Sequence, residues 1–127
     1  MKVGEVMKKV VVVSSDISSS DAVMLLSKRG IGSLVVMDGD KVIGIITEGD
    51  FIDNIGKIKS TNVGDIMTSP VITIGEFSEI NEVIDLMNNN NVRRVPVVDK
   101  KGVLKGIVTV TDILAHSDNS HEKFFFD

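Results

Sequence analysis

Two kinds of periodicity run through this chain. Residues 10–13 (VVVV) and 71–74 (VITI) are short β-branched runs of the kind that pack as strands. Beyond the second run, Ile80, Val83, Ile84 and Met87 fall at i, i+3, i+4 and i+7, which puts four apolar side chains on one face of a helix. Ser78 stands where an N-cap is needed, and the asparagines at 88–91 suit a helix stop. Beyond the first run, Ser18 with Asp21 predicts a capping box, and Gly30 suits the left-handed position that ends a helix. Each helix is followed by two apolar stretches about a polar turn: 34–37 and 41–46 around Asp-Gly-Asp, then 95–98 and 103–109 around Asp-Lys-Lys-Gly. A last helix is predicted to start near Gly49 in one half and near Thr111 in the other. Each half therefore reads β-α-β-β-α, with residues 56–62 (GKIKSTN) as a linker.

The halves match residue by residue. VGEVM at 3–7 returns as VGDIM at 63–67, and Val11-Val12 as Val71-Ile72. Val23 and Leu26 return as Val83 and Leu86, Asp38 as Asp99, and Gly44, Thr47 and Asp50 as Gly106, Thr109 and Asp112. The order never changes and the displacement drifts by single residues, as loop insertions in a tandem duplication would cause. The expected fold is mixed α/β (α+β), with two tandem β-α-β-β-α units over 1–57 and 58–117 and a tail over 118–127. A unit of about 60 residues buries too little apolar surface to stand securely alone. The two are expected to pack on each other with pseudo-twofold symmetry, which creates matched clefts of the kind that hold small ligands.

Composition narrows the function. The chain has 127 residues, 43% of them hydrophobic, which supports a packed core rather than disorder. A net charge of −4 argues against an electrostatic grip on nucleic acid or on an anionic membrane. There are no cysteines, so neither disulfides nor thiolate metal sites form, and a reducing cytoplasm is the expected location. The N-terminus is basic and then apolar, but its run at 10–13 is shorter than a signal peptide's apolar region of roughly 7–15 residues. No stretch approaches the roughly 18 apolar residues of a membrane span.

The duplicated junction Gly-x-x-Thr-x-x-Asp is the candidate chemistry. Thr109 with Asp112, and Thr47 with Asp50, have the spacing of a capping box, which needs no ligand. The same groups also suit a nucleoside phosphate. A helix N-terminus offers free N–H groups to phosphate, and an ionised carboxylate accepts hydrogen bonds from a vicinal diol such as that of ribose. Gly44 and Gly106 permit a close approach of backbone or ligand. Arg93 and Arg94 lie in an otherwise apolar stretch, where an arginine pairs with a carboxylate or phosphate or lies along a solvated edge.

With these residues in view, the chain resembles a tandem pair of cystathionine-β-synthase (CBS) domains, a Bateman module. The resemblance rests on the two VG[ED][VI]M openings, MTSPVITI, NNVRRVPVVD and the paired Gly-x-x-Thr-x-x-Asp strings, and it runs from Val3 to about Ala115. It implies a non-catalytic regulatory module that binds an adenosine-containing ligand between its two domains: AMP, ADP, ATP or S-adenosylmethionine. It further implies that Asp112 and Asp50 hold ribose hydroxyls, and that Thr109, Thr111 and Thr47 serve ribose or phosphate. Arg93 and Arg94 would neutralise phosphate, and Val71, Ile72, Pro96 and Val97 would contact adenine. No cofactor is expected beyond that regulatory ligand, and the partners expected are a second copy of the chain and an unidentified regulated protein.

The halves are not equivalent. Gly32-Ser33 and Gly49 of the first stand where the second has Arg93-Arg94 and Thr111, so one good site at Asp112 and a poorer one at Asp50 are expected. The alternatives are an S-adenosylmethionine sensor and a ligand-free dimerisation or assembly module. His116 and His121 with Asp118 would make at most a weak metal site, since such spacing in a polar tail is usually solvated. Phe124, Phe125 and Phe126 are an unusual run of aromatics, expected to dock on the module, a second chain or a partner.

Overall fold

Residues Met1–Ser117 are described by the structure, a computed structural model; His121 and the phenylalanines at 124–126 lie outside them. The chain order is a 3-10 turn (Val3–Glu5), β1 (Val12–Ser14), α1 (Ser19–Arg29), β2 (Ser33–Asp38), β3 (Lys41–Thr47), α2 (Glu48–Asp53), a 3-10 turn (Ile55–Ser60), α3 (Val63–Ile66), β4 (Ile74–Gly75), α4 (Ile80–Asn90), β5 (Arg94–Val98), β6 (Leu104–Thr109) and α5 (Val110–Ser117). The strands form two three-stranded sheets of order β1-β2-β3 and β4-β5-β6. The parallel pairs β1·β2 and β4·β5 are each joined through a helix, as a parallel connection requires. The fold is thus mixed α/β with two sheets.

Local signals explain the helix ends. Ser18 accepts from the Asp21 N–H at 3.1 Å at the start of α1, and Gly30 ends it at φ 63°. Asn91 ends α4 at φ 53°, a left-handed conformation that asparagine tolerates better than most residues. The predicted N-cap Ser78 is corrected: its N–H bonds back to Gly75 O in a turn, and Glu79 is the cap residue of α4, without a side-chain cap bond. The strands also start later than the apolar runs do, at Val12 and Ile74.

The chain divides into two compact units whose boundaries cross those of the repeats. One unit holds Met1–Lys9, Thr73–Lys100 and Lys105 onward; the other holds Val10–Ile72 with Lys101–Leu104. The opening segment of each repeat is therefore built into the body of the other. Lys2 bridges Glu79 and Lys8 bridges Ile107, while in the other unit Asn62 bridges Ser18 and Thr68 bridges Ile45. Apolar packing follows the same exchange. Val3 and Val6 are buried with Val83, Met87, Val95, Val97 and Val108, and Val63 and Ile66 with Leu26, Leu34, Val36 and Ile46. The predicted linker belongs to its unit as well: the Ser19 N–H donates to Thr61 O at 3.0 Å, and the Ser19 and Thr61 hydroxyls lie 2.8 Å apart. Its polar composition reflects exposure, since Ser19 is buried while Lys57, Lys59 and Ser60 face solvent.

An ion pair anchors the opening segment. Lys2 Nζ donates to Glu79 Oε1 at 2.5 Å, and the N-terminal ammonium lies 3.6 Å from Glu79 Oε2. The hydrogen bond from Lys2, with its charge, holds the Glu79 carboxyl below its ordinary value and raises the Lys2 ammonium above its own. A lowered carboxyl pKa gives stability that is present above the unfolded value and lost as pH falls through the folded one. The Val3 and Gly4 N–H groups bond to Ser78 O and Glu76 O, both at 2.8 Å. Their amide exchange, corrected for its intrinsic pH dependence, is expected to speed up on acidification through that interval. Glu79→Gln should remove the effect, which is small because both partners are exposed.

Candidate functional site

Both Thr–Asp junctions form at the step from the last strand of a sheet into the following helix. At the β6–α5 step the Asp112 N–H donates to Thr109 Oγ1 at 3.1 Å, and the Thr109 hydroxyl donates to Asp112 Oδ2 at 2.7 Å. Thr109 is buried, Asp112 half-buried and Thr111 exposed in the first turn. At the β3–α2 step the Thr47 N–H donates to Asp50 Oδ2 at 2.9 Å. The capping reading is therefore correct for both junctions; whether either holds a ligand depends on what remains unsatisfied.

There the two differ. Asp50 has both oxygens engaged, because the Thr68 hydroxyl donates to Oδ1 at 3.0 Å while Thr47 holds Oδ2. Asp112 has only Oδ2 engaged; among the described residues Oδ1 has no hydrogen-bond donor. Lys8 Nζ lies 3.6 Å from Asp112 Oδ2, an ion pair beyond hydrogen-bond length, with the Asp112 side chain 20% exposed.

The two glycines have their explanation in backbone. The Met7-Lys8 segment crosses β6 so closely that a Cβ on Gly106 would lie 2.7 Å from Lys8 O. A Cβ on Gly44 would meet Met67 Sδ at 2.6 Å and Thr68 O at 3.1 Å. Both glycines admit the exchanged opening segment, and that crossing brings Lys8 to Asp112 and Thr68 to Asp50.

The remaining predicted residues divide between the units. Arg93, Arg94, Pro96 and Val97 share the first unit with Thr109, Thr111 and Asp112; Thr47, Asp50, Val71 and Ile72 lie in the second. The Val110 N–H donates to Arg93 O at 3.0 Å, which places the start of β5 against the start of α5; in the other unit the Glu48 N–H makes the same bond to Gly32 O. Arg93 is exposed and Arg94 half-buried, and neither guanidinium has a partner among the described residues. Pro96 and Val97 are fully buried, so what they can offer a ligand is backbone. Val71 and Ile72 are half-buried and precede β4. Among the described residues, no cluster of three or more His, Asp or Glu could hold a metal ion, and no helix is long and apolar enough to cross a membrane. His116 Nδ1 lies 2.8 Å from Asp112 O and is part of the helix. Open hollows of about 350 and 330 Å³, one in each unit, are lined by Phe77 and Asp99 in one case and Asp16 and Asp38 in the other; neither includes a residue of the Thr–Asp junctions.

The CBS domain family model matches this sequence twice, over residues 3–57 and 63–119. The chain belongs to the CBS domain family. This CBS pair is 40% identical over 120 residues to protein MK0525 of Methanopyrus kandleri, covering 90% of this chain and 61% of that protein. It is 35% identical over 115 residues to protein MJ1232 of Methanocaldococcus jannaschii, covering 90% of this chain and 38% of that one. The chain thus spans less than two thirds of either relative. Among solved structures, the CBS domain pair of protein MJ0100 in complex with 5′-methylthioadenosine and S-adenosyl-L-methionine superposes with a TM-score of 0.83. That alignment has 33% identity and covers 91% of this chain and 94% of that one.

Two residues of the CBS pair that touch the junction carboxylates, Lys8 and Thr68, were not among the predicted site residues. The signal was present in the repeat itself: Lys8 follows VGEVM as Thr68 follows VGDIM. What pattern could not supply was the crossing that sets each beside the aspartate of the other repeat.

Proposed function

We propose that the chain is a non-catalytic regulatory module that binds an adenosine-containing ligand, with an adenine nucleotide (AMP, ADP or ATP) as the favoured class, at the Thr109–Asp112 junction. The observation that carries this reading is the half-satisfied Asp112 carboxylate. Among the described residues its Oδ1 has no donor and the guanidinium groups of Arg93 and Arg94 have no partner, and these and the start of α5 belong to the same unit. Hydroxyls donating to a carboxylate make charge-assisted bonds, and arginine matches phosphate oxygens in pairs. Asp50, Thr47, Val71 and Ile72 make at best a second, weaker site, because Asp50 is held by Thr47 and Thr68. The ligand acts by binding one arrangement of the module better than another, which a second copy of the chain and a regulated protein in the cytoplasm then read.

A second reading, an S-adenosylmethionine or 5′-methylthioadenosine sensor, is favoured by the MJ0100 complex. Both readings share the diol at Asp112 and differ in what the cations meet. Thermal melts with AMP, ADP, ATP, S-adenosylmethionine and 5′-methylthioadenosine separate them. A ligand at a hundredfold excess over its Kd should add about 2.7 kcal/mol of stability. The expected order places the nucleotides first. A shift with the sulfur ligands alone selects the second reading, and no shift with any of the five leaves an assembly module.

A further inference from the structure

We propose that Lys8 makes the Asp112 junction select a ligand with a phosphate on its ribose over the same nucleoside without one. The proposal rests on the adenosine-binding reading above and adds a residue that reading does not contain. Lys8 belongs to the opening segment, which Gly106 admits across β6. Its backbone is fixed by bonds in both directions with Ile107, Lys8 N–H to Ile107 O at 2.9 Å and Ile107 N–H to Lys8 O at 3.0 Å. Its side chain is 57% exposed, and its ammonium meets Asp112 only at ion-pair distance. The position thus combines a fixed backbone with an exposed cation, next to the junction carboxylate whose Oδ1 has no donor among the described residues.

The other repeat supplies the contrast. At the corresponding position Thr68 donates to the aspartate and closes it, and Gly32 replaces Arg93 beside the helix start. A neutral hydroxyl in one unit and a cation in the other is the difference expected if one junction is structural and the other receives an anion. When a sugar diol occupies Asp112, a phosphate on that sugar competes for the Lys8 ammonium. A dianion is the stronger partner for a cation than a carboxylate already sharing its charge among donors. A neutral nucleoside offers no such exchange and must share Asp112 with Lys8.

The test is calorimetry with adenosine, AMP and ATP on the wild-type chain, Lys8→Thr and Lys8→Arg. Lys8→Thr installs the residue that the other repeat carries and removes the charge without touching the crossing backbone. Loss of one charge-assisted bond of about 1.5–3 kcal/mol corresponds to about a tenfold or greater fall in AMP and ATP affinity. Adenosine affinity should hold or rise, and Lys8→Arg should keep the preference for phosphate. The salt dependence of AMP binding should also flatten in Lys8→Thr. An equal loss for all three ligands, or no loss for any, overturns the proposal, since a merely structural lysine would not alter the ratio of AMP to adenosine. Failure of the wild-type chain to bind any of the three overturns the nucleotide reading itself, and this proposal with it.

Discussion

Asp112→Ala is expected to weaken adenine-nucleotide binding by about ten- to a hundredfold while Asp50→Ala leaves it nearly unchanged. The magnitude follows from losing one or two charge-assisted hydrogen bonds at about 1.5–3 kcal/mol each, offset where water partly solvates the freed hydroxyls. The asymmetry follows from what each carboxylate already does. Asp50 is the partner of the Thr47 N–H and the Thr68 hydroxyl, so its loss is felt in folding, at about 0.5–2 kcal/mol for an uncapped helix start. Asp112 Oδ1 has no donor among the described residues, and the Asp112 N–H bond to Thr109 Oγ1 survives truncation of the side chain. Calorimetry and thermal melts on both variants separate the two roles: stability falls in both, since the buried Thr109 hydroxyl loses its acceptor in Asp112→Ala, but affinity falls only in Asp112→Ala. Equal behaviour of the two would remove the distinction on which the functional reading stands.

Gly106→Ala should destabilise the fold by about 1–3 kcal/mol, the usual range for overpacking, and by more than Gly44→Ala. Neither glycine has a positive φ, so the cost comes from space rather than backbone strain. At Gly106 the new Cβ meets a backbone oxygen, Lys8 O at 2.7 Å, which can yield only if the bridge between Lys8 and Ile107 opens. At Gly44 the nearest atom is Met67 Sδ, the flexible part of a side chain, with backbone next at 3.1 Å. Denaturant melts of the two variants measure the difference. Gly106→Ala should also displace Lys8 and so lower nucleotide affinity, which Gly44→Ala should not. A larger loss of stability in Gly44→Ala would mean that the crossing segment is held less firmly in its unit than the Lys8 bridge implies.

Much of the secondary structure could be read from pattern alone because the signals are local. The stripe at Ile80, Val83, Ile84 and Met87 is a helix face, with Val83 and Met87 buried; Gly30 ends its helix in the left-handed conformation predicted for it, and Asn91, in the predicted stop at 88–91, ends its own in the same conformation. The Thr–Asp spacing gave the cap geometry for the same reason, since a capping box spans only four residues. Ser78 misled because a serine two residues before a helix can serve a turn as well as a cap; here its N–H bonds Gly75 O, and Glu79, which Lys2 contacts from far away in sequence, takes the cap position. The exchange of opening segments was hidden for a related reason. Val3 and Val63 carry the same pattern, so each fits either body, and hydrophobic periodicity does not say which. The approach that Gly44 and Gly106 permit was legible as a possibility; that backbone occupies it, and that it delivers Lys8 to one aspartate and Thr68 to the other, requires the tertiary structure.

The most direct test of the central claim is an amide-resolved NMR titration of the chain with AMP. The account predicts saturable shifts at Thr109, Thr111 and Asp112, with Lys8 following, and little change at Thr47 and Asp50 until the first site is full. Saturable shifts confined to other residues, or none at concentrations well above the affinity range of nucleotide sensors, would contradict it.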